Sequence, residues 1–316
     1  MGSTFEAFCV QAVAYFRWVN AALAATDKEP LIINMDEVSL CYHITGIVGT
    51  VLRTQPHLAT SPKDKSRLSD RRGNITYMAS ICNDVTVNQK LPQVLLGNCR
   101  RFAVRLIKEA TGHLPNNIVL WRETSAWNNH RLMQRFISLL CRCLGEDVVE
   151  RAVYLVVDMA PCHIHPEVWA TAMKKNIRLI LVPAGLTGSL QPLDTHVFRQ
   201  FRAKIQELWL DYKAKAEKGQ LLVLDWLKIV AAGITTIVSG RDWQHAFERT
   251  GLLYCQALLA PSRLQHLGWE VCPELGAGLP PHGQAGRMFP RRSKCNVAEW
   301  VEWRKVPSFK PIQTLD

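Results

Sequence analysis

Three times in this chain a short aliphatic run leads to an acid. The runs are Leu31-Ile-Ile-Asn-Met-Asp36, Val153-Tyr-Leu-Val-Val-Asp158, and a third that starts at Leu181 and passes through a Pro- and Gly-rich loop to Gln191-Pro-Leu-Asp194. The second and third are joined in a telling way. Ala152–Val157 and Ile177–Val182 are uninterrupted apolar runs of strand length, as expected of strands buried on both faces. Between them Pro166–Lys175 reads as a short helix, with Pro at its start and two lysines at its end. Strand, helix and strand within about thirty residues form a βαβ unit, whose two strands lie parallel. An all-helical or purely antiparallel fold is thereby excluded.

The other segments fit around that unit. Residues 5–25 carry apolar side chains at helical spacing, and Leu31–Ile33 is a short β-branched strand. Ile44–Leu52 reads as a strand or hairpin arm, and residues 61–73 as a charged loop. Alternation over Asn74–Cys82, the turn signal Asn83-Asp84, and a partner strand at Pro92–Leu96 predict a meander. Ile118–Trp121 is a further strand, and Trp127–Leu144 a helix stopped at Gly145. After Asp194 a long helix runs to about Lys218, followed by helices over Leu221–Val238 and Asp242–Leu253. The class is α/β, a mixed sheet flanked by helices in an RNase H-like layout with a helical C-terminal extension. The predicted parts are an N-terminal helix (1–28), the core (29–260), and a loose linker with a short extension (261–316). Neither a G-x-G-x-x-G loop nor a Walker loop is present, which argues against nucleotide-binding folds.

The chain has 316 residues, 48% of them apolar, and a formal charge of +11. An excess of that size points to a polyanionic partner, most simply nucleic acid. The ten cysteines include no C-x-x-C pair, so a structural zinc finger is not expected. With no signal peptide and no membrane-length apolar window, the chain reads as intracellular and soluble.

Sites in open α/β sheets form beyond the carboxyl ends of the strands, where Asp36 and Asp158 are expected side by side. Taken singly, each acid also fits a turn or a helix cap, and Asp194 fits an N-cap. Taken together, three carboxylates repel one another unless divalent cations bind between them. Hard oxygen donors suit Mg2+ or Mn2+. Two such ions, about 3.5–4 Å apart, activate an attacking water or hydroxyl and stabilise the leaving oxygen of a phosphodiester.

The wording around each acid resembles the catalytic core of the DDE-superfamily endonucleases of the pogo/Tigger/jerky type, related to mariner-like transposases. Asn34-Met35-Asp36-Glu37 is similar to that family's first block, and Val156-Val157-Asp158-Met159-Ala160-Pro161-Cys162-His163 to its second. Val182-Pro183-Ala184-Gly185-Leu186-Thr187 through Gln191-Pro192-Leu193-Asp194 is similar to the third, the most specific of them. Lys90-Leu91-Pro92 and Trp127 fit connecting features, and the likeness spans roughly residues 30–255. Met159 departs from the family's Asn, and Gly185 and Gly188 from its Asn and Thr.

The resemblance implies a triad of Asp36, Asp158 and Asp194 that binds two Mg2+ (or Mn2+) ions and performs strand cleavage and transfer on DNA in the nucleus. Glu37, His163 and Gln191 are its supporting residues, with His163 orienting its loop by hydrogen bonding and Glu37, next to Asp36 on a strand, expected to turn away. A metal role for His163, His165 or His196 is the lesser reading. Arg100, Arg101, Arg199 and Arg202 are candidate DNA contacts, and whether the chain acts alone or as a homo-oligomer stays open. Trp209, Trp226 and Trp243 read as core. The competing function is a catalytically inactive, transposase-derived DNA- or chromatin-binding protein, suggested by Met159 and by a core that begins without a preceding helix-turn-helix region. A nuclease acting on RNA–DNA hybrids is a third reading.

Overall fold

The computed structural model describes residues 28–40, 75–99, 102–215 and 223–253, with Tyr15, Val19 and Leu23. Outside these lie the predicted strand at Ile44–Leu52, the charged loop 61–73, Arg100 and Arg101, most of the N-terminal helix and all of 261–316. Tyr15, Val19 and Leu23 are helical and buried. Their four-residue spacing places them on one face, the stripe an amphipathic helix hides.

Six strands form one mixed sheet: β1 Pro30–Leu40, β2 Ile75–Cys82, β3 Gln93–Asn98, β4 Ile118–Glu123, β5 Ala152–Val157 and β6 Ile177–Leu181, in the order β4-β3-β2-β1-β5-β6. The meander is β1, β2 and β3, paired antiparallel. β5 runs parallel to β1 and to β6, as the βαβ reading requires. β4 adds to the far edge parallel to β3. This mixed sheet with its helices is the RNase H-like arrangement.

The helices are α1 Val85–Asn88, α2 Val104–Thr111, α3 His130–Leu144, α4 Asp147–Glu150, α5 Pro166–Lys174, α6 Thr187–Leu190, α7 Phe198–Lys215, α8 Val223–Gly233 and α9 Gln244–Arg249. Their ends follow local chemistry. Asn129 caps α3 by accepting from Arg131 and Leu132 N–H, and Gly145 ends it with a left-handed φ of 57°. Asp84 caps α1 and pairs with Arg151 at 2.7 Å. Those contacts outweigh the opposing effect of burial and hold its carboxyl at about 2. Asp84 is an acid after a strand in a purely structural role.

The core runs through the sheet. All six residues of β5 are buried, and the β1 residues from Leu31 to Asp36 are too. Trp209, Trp226 and Trp243 are buried as expected, and Tyr77 of β2 packs on Phe201 of α7 at 5.2 Å between ring centres. α3 packs on α5, α7 on α8, and a π-helical turn at Leu193–Val197 lies against β1 and β2. Among the described residues no helix is long and apolar enough to cross a membrane.

Candidate active site

β1 is longer than the three-residue strand expected from its apolar run. It continues through Asn34, Asp36 and Glu37 to Leu40, because β2 pairs with it along that whole length, Asp36 lying opposite Ala79. Its parallel pairing with β5 ends at Asn34 opposite Val156. Two residues further along each strand stand Asp36 and Asp158, at matching height on neighbouring strands. Asp36 is therefore within β1 rather than just past it, while Asp158 follows β5 directly.

Asp194 reaches the same end of the sheet by a return loop. Leu186, Leu190 and Leu193 are fully buried and pin that loop to the core. Gly185 takes a φ of 82°, a left-handed conformation that favours glycine, so it shapes the turn. Asp194 then falls in the π-helical turn Leu193–Val197, whose preceding residue, Pro192, supplies no side-chain cap. It is not an N-cap, and it opens to solvent.

Two buried amides tie this loop to the central strands. Asn34 accepts from the Leu193 N–H at 2.8 Å and donates to Val156 O at 3.0 Å, joining β1, β5 and the residue before Asp194. Gln191 donates to Met35 O at 3.5 Å, and its Oε1 is buried with no hydrogen-bond partner among the described residues. Gln191 is legible in the sequence as a supporting residue. Asn34 stands out there only as part of a block, since its partners lie far away along the chain.

A second linkage holds Asp158. The fully buried His163 places Nδ1 at 2.6 Å from Asp158 Oδ1 and Nε2 at 3.2 Å from Glu37 Oε1. Burial alone would favour a neutral ring, but the Glu37 charge and the hydrogen bonds with Asp158, Cys162 and Glu37 raise it well above its ordinary value. The ring is clamped between two carboxylates. Glu37 also accepts from the Asn128 side chain, so it is not turned away from the site as its strand position suggests. Asn128 carries no sequence signal. Of the other histidines, His165 caps α5 and stacks on His130, while His196 bonds Thr195.

The electrostatics of the three aspartates differ. Asp36, only 8% exposed, is pushed up to about 8 by burial first, then by the charges of Asp194, Glu37 and Asp158, against one hydrogen bond from Glu37 N–H. For Asp158 burial also pushes upward, yet the His163 hydrogen bond and charge, with the Ala160 N–H, prevail and hold it below the usual range. Asp194 is raised by partial shielding and by Asp158, while the Arg202 charge pulls it down. The three thus lie within electrostatic reach of one another, and Arg202 lies within reach of Asp194. Arg202 and Arg199 are both exposed on α7. Among the described residues, neither Asp36 nor Asp194 forms a salt bridge. The donor atoms that all lie within 4.8 Å of one another belong instead to Glu37, Cys162 and His163.

Comparison with known proteins bears on the family and the fold. Residues 74–245, more than half of the chain, match the family described as DDE superfamily endonuclease. Asp158 and Asp194 fall inside that span, and Asp36 precedes it on the strand that pairs with β2 and β5. The chain is 22% identical over 220 residues to the mouse protein "Pogo transposable element with KRAB domain", covering 66% of this chain and 34% of that one. To the human protein of the same name it is 23% identical over 284 residues, covering 85% and 42%. The chain thus spans roughly a third to two fifths of the length of these relatives. No solved structure matches. With its mixed sheet, its strand-end acids and a family match over most of the core, the chain belongs to the DDE superfamily endonucleases.

Proposed function

We propose that this domain cuts phosphodiester bonds in DNA, and transfers the strand, using divalent cations held by Asp36, Asp158 and Asp194. The observation that carries the reading is Asp36: a carboxyl at the carboxyl end of the central strand pairing, raised by burial first and then by neighbouring acids, with no cation among the described residues paired to it. A cluster of like charge is stabilised when a cation enters it. The donor set is all carboxylate oxygen, which suits Mg2+ or Mn2+, two per site. When bound, such ions supply an activated water or hydroxyl and a stabilised leaving oxygen.

The chain's own residues prepare the site for this. Asn34 and Gln191 fix the approach of Asp194 to β1. His163 holds one oxygen of Asp158 and keeps that carboxylate ionised, ready to bind a cation with the other. Arg202, near Asp194, and Arg199 on the same exposed helix offer phosphate contacts, in keeping with the +11 charge of the chain. On this reading the domain acts in the nucleus, where its DNA substrate lies.

The test is nicking of supercoiled plasmid by the purified chain with Mg2+ or Mn2+, beside Asp158→Asn. Metal-dependent nicking that disappears in the variant is expected. Retained DNA binding without nicking by the wild-type chain would reject the catalytic reading in favour of a binding-only derivative of the same fold. An RNA–DNA hybrid in parallel separates duplex DNA from hybrid as substrate.

A further inference from the structure

Glu37, Cys162 and His163 form a compact group beside the three aspartates, not among them. We propose that they make a second metal site, selective for a thiophilic divalent cation of the zinc class rather than for Mg2+. This rests on the donor atoms of those three side chains and holds whether or not the aspartates catalyse.

The donor chemistry sets the preference. A thiolate, an imidazole nitrogen and a carboxylate oxygen are zinc ligands, whereas Mg2+ prefers oxygen alone. The three donor atoms already lie within 4.8 Å of one another. Tetrahedral zinc with bonds of about 2.0–2.3 Å needs donors roughly 3–4 Å apart, so a small closure completes the set. The imidazole is also oriented as a metal-binding histidine is. Its Nδ1 is committed to Asp158 Oδ1 at 2.6 Å, leaving Nε2 directed at Glu37 Oε1, 3.2 Å away. A carboxylate on the far ring nitrogen is the usual outer support of a histidine ligand, fixing its tautomer and raising its basicity.

The surroundings hold the ligands in place. His163 donates its backbone N–H to Ala160 O at 2.9 Å, and its carbonyl accepts from Trp169 Nε1 at 3.1 Å. Glu37 is fixed by β1 and by Asn128. Cys162 is partly exposed, so a cation can reach the group, and water or another ligand can take a fourth position. A cation bound there would tie the loop after β5 to β1 and, through His163, fix one oxygen of Asp158.

The experiment uses the whole chain, stripped with chelator, titrated with Zn2+ and separately with Co2+ as a visible probe. Wild type is expected to bind Zn2+ at this site and to show thiolate-to-cobalt charge-transfer absorption. Cys162→Ser is expected to lose that absorption and at least tenfold in Zn2+ affinity. Glu37→Gln is expected to keep the absorption while losing about tenfold in affinity. Asp36→Asn should leave both unchanged, which separates this site from the aspartate triad. Because Cys162 is one of ten cysteines in the chain, dependence on Cys162 is decisive. Equal Zn2+ affinity in wild type and Cys162→Ser, or no Zn2+ binding by wild type, overturns the proposal. So does a charge-transfer band that survives Cys162→Ser.

Discussion

Replacing Asp36 by Asn should make the protein more stable, and should do so increasingly as pH rises. Asp36 is 8% exposed and its carboxyl is pushed from 3.8 up to about 8. Between those two values the folded chain keeps the proton and the unfolded chain releases it. The stabilisation from the protonated group is therefore complete below 3.8 and declines as pH climbs through about 8. At about 1.4 kcal/mol per pH unit, the span sets an upper limit of about 6 kcal/mol. Sharing of charge among Asp194, Glu37 and Asp158 brings the expected effect to about 2–4 kcal/mol. Asn keeps an oxygen to accept from the Glu37 N–H, 2.8 Å away, and cannot ionise. Urea unfolding of wild type and Asp36→Asn in chelator, at steps from about pH 4 to about pH 8, measures the difference directly. It should be near zero at the acid end, reach about 2–4 kcal/mol in favour of the variant at the alkaline end, and shrink when Mg2+ is added to the wild type. A pH-independent difference, or a variant less stable than wild type at the alkaline end, would refute the reasoning that acids crowd this position.

Three further perturbations test the frame around the site. Asn34→Ala leaves the buried Leu193 N–H and Val156 O without their side-chain partner, and should cost about 2–4 kcal/mol in urea unfolding. Its nicking rate should fall further than the loss of folded protein accounts for, since Asp194 loses its anchor. Asp84→Ala removes a helix cap and the Arg151 pair, at about 1–3 kcal/mol near neutral pH. Because Asp84 is held at about 2 against 3.8, its contribution is present above 3.8 and lost as pH falls towards 2, so acid unfolding curves of variant and wild type should converge there. Gly97→Ala places a methyl 2.3 Å from the Phe102 ring carbon, and thermal unfolding should register about 1–3 kcal/mol of overpacking.

How the fold is written in the sequence varies along the chain. β5, α5 and β6 are readable because each is short, strongly patterned and bounded by turn chemistry. The apolar run at β1 predicts a strand of three residues, and the strand has 11. Asn34, Asp36 and Glu37 look like the end of a strand, and only the pairing with β2 shows that polar side chains continue within it. α2 is not anticipated from the sequence, because its apolar face is only Leu106, Ile107 and Ala110 within eight residues. At the site, Asp158 and Asp194 are marked by their neighbours in sequence. Asn34 is not, because the groups it joins are 122 and 159 residues away. The clamp of Glu37 on His163 is hidden for the same reason, across 126 residues. Local pattern predicts elements well; contacts between distant segments are set by the fold.

The most direct test of the central claim is crystallographic. Crystals of the chain grown with Mn2+ and measured at the manganese edge should show anomalous density between the carboxylates of Asp36, Asp158 and Asp194, lost in Asp158→Asn. Manganese found elsewhere, with the three carboxylates left apart and unbound, would contradict a shared metal site at the end of these strands.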